Sequence, residues 1–474
     1  MSLTESAAAH VESTWDHIMP VLVDYVRIPN VSVAFDAQWR EHGFMAEAVE
    51  LVRSWCASRE IEGATVEVHE LPGRTPMIVV VVPPSGEQAA NRPDDTVLMY
   101  GHLDKQPEME GWREGLGPWT PVIEGDRLYG RGGADDGYAA FASLTAIEAV
   151  RAAAASHTRC VVLIEASEES GSPDLPAYVD ALADVIGSPS LVVCLDSGCI
   201  DYERLWVTTS LRGMVLVDMS VEIVTEGLHS GDVSGMVPST FRISRMLLSR
   251  VEDQDTGRVL LPSCTVEIPG ERIEQARLTA TEVGPIAAQY PFVDGAGPTT
   301  ADGSEQLLAR TWRAALSVVG AGGLPPVERA GNVLRPSTTL RLSLRLPPTA
   351  DPARVEAELI EQLTTDVPYG AKVTVQAHSS SGGWHAPATA EWLAAALEEA
   401  SVAAFGSAAR MFGEGGSIPF MGMLGRKFPE AQFVVTGCLG PDANAHGPNE
   451  YLHLPTARKI TLAISEILHA HATR

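Results

Sequence analysis

Five short segments of this 474-residue chain carry residues able to do chemistry. In Gly101-His102-Leu103-Asp104, a carboxylate stands two residues from an imidazole. Such a carboxylate can accept the proton on the second ring nitrogen and fix the tautomer for a metal. Segment 128–137, LYGRGGADDG, is a glycine-rich turn feeding a helical pattern. Its acidic pair, Asp135 and Asp136, suits either a helix N-cap or a carboxylate shared between metals. A phosphate-binding loop is a poor fit, because no Gly-Lys-Ser/Thr follows. Segment 165–172, EASEESGS, crowds Glu165, Glu168 and Glu169 directly behind an apolar run. Carboxylates packed this way repel unless cations neutralise them or one holds a proton. Asp196 in LDSG and His446 in NAHGPNE complete the set. Taken singly, each segment has a plainer reading as a chance neighbour, a cap, a solvated loop or a turn. Taken together they supply His, Asp, Glu, Asp and His, the hard and borderline ligands of Zn2+, Mn2+ or Co2+.

These residues need a scaffold that brings them together. The runs MIVVVV (77–82), TVLMYGH (96–102), RCVVLIEAS (159–167) and SLVVCLDSG (190–198) read as short buried strands. Helical patterns lie between several of them, at 42–59 and 136–155. Short apolar strands alternating with helices predict a largely parallel or mixed α/β sheet. Ligands of such sheets bind beyond the carboxyl ends of the strands, where all five segments fall. From about residue 211 the style changes. LRGMVLVDMSVEIV (211–224) and STTLRLSLRLPP (337–348) alternate like half-exposed antiparallel strands, and helical PARVEAELIEQL and strand AKVTVQAH follow. The tail returns to the first style with a helix at 388–405, a buried strand at 431–437 and a terminal helix. The expected architecture is α/β: a mixed central sheet flanked by helices, built from 1–210 and 384–474. An α+β domain at 211–383 interrupts it. Segments 83–95 and 265–305 read as loops.

Bulk properties set outer limits. Hydrophobic residues make up 45% and charged residues 20%, an ordinary globular composition. The formal charge of −27 excludes a nucleic-acid partner, which needs a basic footprint. The first fifteen residues hold no basic segment followed by an apolar core, so no secretory signal is expected. No run approaches the roughly 18 apolar residues of a membrane span. Six scattered cysteines without a CxxC pair read as reduced thiols, and the expected compartment is the cytoplasm.

In their order, HLD, GRGGADDG, EASEESGS, LDSG and AHGPNE resemble the di-metal peptidase family of carnosinase and cytosolic Cys-Gly dipeptidase. Succinyl-diaminopimelate desuccinylase, aminoacylase and bacterial glutamate carboxypeptidase are more distant members. The likeness runs from about residue 96 to 455 and takes in LRG (211–213), LHSG (228–231) and GEGGSIP (413–419). It implies a zinc-peptidase-like catalytic domain with an inserted lid and dimerisation domain. It also implies two divalent ions per subunit, Zn2+ first and Mn2+ or Co2+ otherwise. Asp135 would bridge them, His102 and Asp196 completing one site and Glu169 and His446 the other. Glu168 would be the general base and acid, and Asp104 would orient His102. His229 of a partner subunit would stabilise the oxyanion, and Arg345 would bind the substrate carboxylate. Asn332, Glu414 and Ser417 would lie on the substrate side. The peptide bond after the bridging aspartate is often cis in this family, which makes Asp135-Asp136 the candidate here.

The resemblance implies hydrolysis of a dipeptide or similar amino-acid amide by a homodimer, through a water shared by the metals. Members with Asp at the position of residue 196 tend to be dipeptidases or aminopeptidases. The alternative is an N-acyl-amino-acid amidohydrolase of the aminoacylase or desuccinylase type; a non-catalytic metal-binding protein is more remote. Two departures bear on the choice. Gly137-Tyr138 stands where Lys-Gly is usual, making Tyr138 a candidate for reshaping the site. Gly413 stands where the closest dipeptidases tend to have Arg, so the substrate need not be a standard dipeptide.

Overall fold

The computed structural model describes residues 3–92, 95–416 and 418–474. Ser417 therefore lies outside the described residues. Two compact units divide the chain. The first comprises Met1–Thr209, Ala386–Phe412 and Met423–Arg474, and the second Ser210–His385 with Gly413–Gly422. Segment 413–422, expected with the first domain, thus groups with the second. Gly413 explains part of this: a Cβ there would stand 2.5 Å from Ser210 Oγ and 2.9 Å from Thr311 Cβ, so only glycine packs so close.

The first unit is built on a six-stranded sheet in the order Thr65–His69, Met77–Val82, Arg159–Glu165, Thr96–His102, Pro189–Cys194, Gln432–Val435. The last four run parallel, and the first two are antiparallel additions at one edge. The central strands are buried along almost their whole length, as sequences such as TVLMYGH and RCVVLIE require. Helices Leu3–Arg27, Ala139–Ala152, Glu391–Phe405 and Leu454–Thr473 pack on one another and share one core with this sheet. Every residue from Ala139 to Val150 is buried, because small side chains let this helix lie close to the strands. A Cβ on Gly101 would come within 2.6 Å of the Ala139 Cβ, which is why the strand carries glycine just before His102. The helix Leu3–Arg27 buries Ala7, Val11, Trp15, Ile18, Leu22 and Tyr25, a stripe at spacings of four and three.

The second unit holds a four-stranded antiparallel sheet in the order Ala315–Gly322, Ser337–Leu346, Gly213–Glu222, Lys372–Ser381. Gly213–Glu222 alternates buried and half-buried residues without a break, and Ser337–Leu346 alternates likewise. Their inward residues, among them Val215, Val217, Leu342 and Leu344, meet Ile243, Leu247, Val355 and Leu359 from helices Thr240–Leu248 and Pro352–Thr364. The stretch 265–305 is not all loop, because Gly270–Val283 is helical. That helix buries only Arg272, Ala276 and Thr279, so no apolar stripe announces it. Among the described residues, no helix is long and apolar enough to cross a membrane.

Candidate metal centre

Parallel strands end on the same edge of a sheet, and this brings the chemistry together. His102 ends its strand in register with Glu165, and Tyr100 pairs with Cys194. Two residues further on, Asp196 comes level with His102, its Oδ2 lying 3.8 Å from the imidazole Nε2. Glu168 and Glu169 follow Glu165 in a tight turn, Glu168–Ser170. Asp135 enters from the turn Gly133–Gly137 that precedes the buried helix. Its Oδ1 lies 3.3 Å from His102 Nε2 and its Oδ2 lies 2.9 Å from His446 Nε2, so one carboxylate faces both imidazoles. Glu169 Oε2 is 3.3 Å from His446 Nε2. The Asp135-Asp136 peptide is cis.

Two groups of potential ligands result, His102 with Asp136 and Asp196, and Asp135 with Glu169 and His446, each with ligand atoms within 4.8 Å of one another. They set four carboxylates against two imidazoles. Glu169 Oε1 and Asp136 Oδ1 are buried with no hydrogen-bond partner among the described residues. Buried orphaned carboxylate oxygens are costly unless something cationic meets them. Burial and the charge on Asp196 push the Glu168 carboxyl well above the ordinary range; burial and the charge on Asp135 do the same to Glu169. Burial likewise opposes ionisation of Asp135, but hydrogen bonds to His102 and His446 outweigh it and hold that carboxyl low. Such a crowd of carboxyls, all but Asp135 driven toward protonation, fits divalent cations as its natural counter-charge.

The surroundings hold these groups still. His102 Nδ1 lies 3.1 Å from the Asp104 backbone carbonyl and 3.5 Å from its carboxylate. The Asp104 carboxylate makes its closer bonds elsewhere, accepting from the amides of Glu168 and Glu169 at 3.0 Å each. It thus anchors the glutamate turn as well as facing the histidine, a second task that sequence spacing did not suggest. Asp136 was also unassigned, and its Oδ2 accepts from the His102 amide at 3.3 Å. Gln106 Nε2 donates to Glu169 Oε2 at 2.7 Å. Beneath them Glu165 accepts from Tyr100 at 2.5 Å and Ser172 at 2.8 Å, and burial raises its carboxyl to about 7. Tyr138 does not reach into the site: it is fully buried and its hydroxyl donates to the Leu195 carbonyl at 2.6 Å. It therefore braces the residue before Asp196.

In the second unit, the short ladder of Leu228–His229 with Val333–Leu334 brings His229 beside Asn332, whose carbonyl accepts from the Ser230 amide at 2.9 Å. Asn332 is exposed, and the His229 side chain is 68% exposed. Arg345 sits half-buried on Ser337–Leu346, where burial lowers its guanidinium. It is close enough to Arg212 that burial, followed by the charges of Arg345 and Arg310, lowers Arg212 to about 10. Glu414 ends the strand Arg410–Glu414 and is half-buried.

Two clusters of potential ligands beyond the carboxyl ends of the parallel strands make a candidate centre for divalent cations. Residues 98–470 match the family described as Peptidase family M20/M25/M40, and the chain belongs to that family of metallopeptidases. It is 26% identical to a cysteinylglycine-S-conjugate dipeptidase of Corynebacterium striatum over 435 residues, covering 89% of this chain and 90% of that protein. It is 23% identical to the Beta-Ala-His dipeptidase of Homo sapiens over 471 residues, covering 95% of this chain and 89% of that one. Among solved structures, the dipeptidase Dug1p of Saccharomyces cerevisiae superposes with a TM-score of 0.75 at 19% identity, over the full length of both chains. Human carnosine dipeptidase 1 superposes with a TM-score of 0.72 at 20% identity, covering 99% of this chain and 100% of that one.

Proposed function

We propose that this chain hydrolyses the amide bond of a dipeptide or a similar small amino-acid amide, with His102, Asp135 and Asp196 holding one divalent ion and Asp135, Glu169 and His446 a second. The observation that carries the reading is Asp135, whose two oxygens face the imidazoles of His102 and His446 at 3.3 and 2.9 Å. Relatives named as dipeptidases support the substrate class. A pair of bound divalent cations makes water acidic enough to attack near neutral pH and polarises the scissile carbonyl.

The chain's own groups do the rest. Glu168 takes the proton of the attacking water and returns it to the leaving amine. Its place beside Glu169 in the turn after the central strand supports that reading, since a positioned carboxyl is a usual acid–base group. Asp104 keeps Glu168 and Glu169 in place through their backbone amides. Arg345 binds the substrate carboxylate, a task for a planar guanidinium. Asn332 and Glu414 meet the substrate, and Ser417, outside the described residues, is a candidate for the same task from its motif alone. His229 acts on the oxyanion of a second subunit's substrate, so the working form is a homodimer through the second unit. Its wide exposure supports that reading: the side chain is 68% exposed, with Asp232 at 3.6 Å from its Nδ1. The ion is Zn2+, with Mn2+ or Co2+ able to replace it. Six free cysteines, five of them buried, support work in the reducing cytoplasm.

A panel of dipeptides and N-acyl-amino acids, offered to protein loaded with Zn2+, Mn2+ or Co2+, tests the reading. Turnover of dipeptides supports it. Cleavage of acyl-amino acids alone would replace it with an amidohydrolase, and metal uptake with no turnover on any amide would leave a metal-binding protein.

A further inference from the structure

The two ligand groups differ in how they are held. His102 is fully buried at the end of a central strand, whereas the His446 side chain is 55% exposed on a loop. That loop is conformationally costly, since Asp442, Asn444, His446 and Asn449 all have φ between 52° and 64°. Each non-glycine residue in this left-handed region needs surrounding contacts to keep it there. Asn444 Nδ2 donates to the Pro448 carbonyl at 2.6 Å and the Arg113 amide to Asn449 Oδ1 at 2.7 Å, and Glu450 ties the loop to the turn that carries Asp135. Glu450 is fully buried, its Oε1 accepts from the Gly132 amide at 2.7 Å, and its Oε2 pairs with the equally buried Arg131. Arg131 in turn donates to the Gly447 carbonyl at 3.0 Å, and the Glu450 carbonyl accepts from the Gly130 amide at 3.0 Å. Residues 130–132 and 447–450 are thus joined by a buried ion pair, one backbone–backbone hydrogen bond and two hydrogen bonds between side chain and backbone. Asp135 lies three residues from one end of that clamp, and His446 one residue from the other.

Lys105 completes the layer. It is fully buried, its Nζ donates to the Tyr25 and Ile28 carbonyls at 2.7 Å each, and it lies 4.0 Å from the Tyr25 ring centroid. Its stem fills the space beside Gly132, where a Cβ would stand 2.6 Å from Lys105 Cγ. Burial opposes its charge and Glu450 favours it.

We propose that Glu450 is a positioning residue: through Arg131 and the Gly132 amide it sets the spacing of Asp135 and His446, and with it the affinity of the second metal site. The inference rests on the two-metal reading above. The test is a two-site metal titration of metal-free protein with Zn2+ by calorimetry, with ion content by mass spectrometry and melting of the metal-free form measured in parallel. Wild type should take up two ions; fewer would overturn the two-metal reading itself. Glu450→Gln keeps the shape and the Gly132 contact but leaves Arg131 without its counter-charge. It should weaken one ion on the order of 10- to 100-fold and leave the other within a few-fold, the size of effect seen for groups that orient metal ligands. In the double variant Arg131→Met/Glu450→Met neither member of the ion pair is left without the other, so its metal-free melting should stay nearer wild type than that of Glu450→Gln while one ion remains weak. Equal weakening of both ions, unchanged binding of both in a folded variant, or failure of both variants to fold would each overturn the positioning role.

Discussion

The residues proposed for catalysis fall into two regions that are built differently. In the first unit His102, Asp135, Asp136 and Asp196 are buried, and each has at least one polar neighbour within the site. In the second unit His229 and Asn332 lie open and Arg345 is half-buried on a sheet. A metal site needs ligands fixed to fractions of an ångström before the ion arrives, and strand ends and buried turns provide that. A group that meets substrate must stay reachable. The difference teaches that the first region should lose function by losing metal, and the second by losing rate with its metal intact.

The largest expected effect is on the shared carboxylate. Asp135→Asn should remove both ions and essentially all turnover, read by ion content and activity on the same sample. Full metal content in a folded variant would break the bridging role. Glu168→Ala comes next, with both ions retained and turnover lowered on the order of 10²- to 10⁴-fold, the usual contribution of a positioned acid–base group. Near-normal turnover would show that another group moves the proton. His229→Ala sharpens the contrast from the other side: turnover should fall on the order of 10²- to 10³-fold, as for a lost oxyanion donor, with no change in metal content. Mixing His229→Ala with Glu168→Ala subunits should restore part of the activity if the histidine acts across a dimer. A fully active wild-type monomer would refute that sharing.

Two smaller effects concern pH. Burial disfavours a proton on His446, but the hydrogen bond and charge of Asp135 outweigh it and hold the metal-free imidazole above its ordinary 6.5. Coordination needs the neutral ring, so affinity at the second site should fall as pH drops through and below that raised value. Titrations at pH 8 and pH 6 that gave equal affinities would contradict this. His157, at the other end of the sheet, is pushed down to about 4 by burial. In the unfolded chain its pKa returns to 6.5, so its contribution to stability is complete above pH 6.5 and is lost progressively toward pH 4. The loss is at most about 3 kcal/mol. Denaturant unfolding of metal-free wild type and His157→Gln at pH 7.5 and pH 5 should give a shallower pH dependence for the variant.

The sheet strands were legible because each is a short apolar run bounded by turn residues, as in Thr96–His102 and Arg159–Glu165. The alternation of Gly213–Glu222 and Ser337–Leu346 was equally plain. The helix Gly270–Val283 was not, since it hides too few apolar residues to mark a face. The helix Leu3–Arg27 does carry its stripe from Ala7 to Tyr25, and that spacing was the signal to find it by. At the site, ligand types and order could be read, but Asp136, Gln106 and Glu450 could not. Their importance lies in which amide, carboxylate or guanidinium they meet, and those partners stand 34, 63 and 319 residues away.

The amino-acid sequence by itself determined the inventory: two imidazoles and a surplus of carboxylates placed after strands, in the order the peptidase family uses. Only the tertiary structure decided the arrangement. Parallel pairing made Asp196 level with His102, Asp135 came to face two histidines, and a buried ion pair joined the loops that carry Asp135 and His446. Ligand chemistry is a property of side chains and survives in a string of letters. Distances between them are set by strand register and by the partners that bury each charge, and these exist only once the chain has folded.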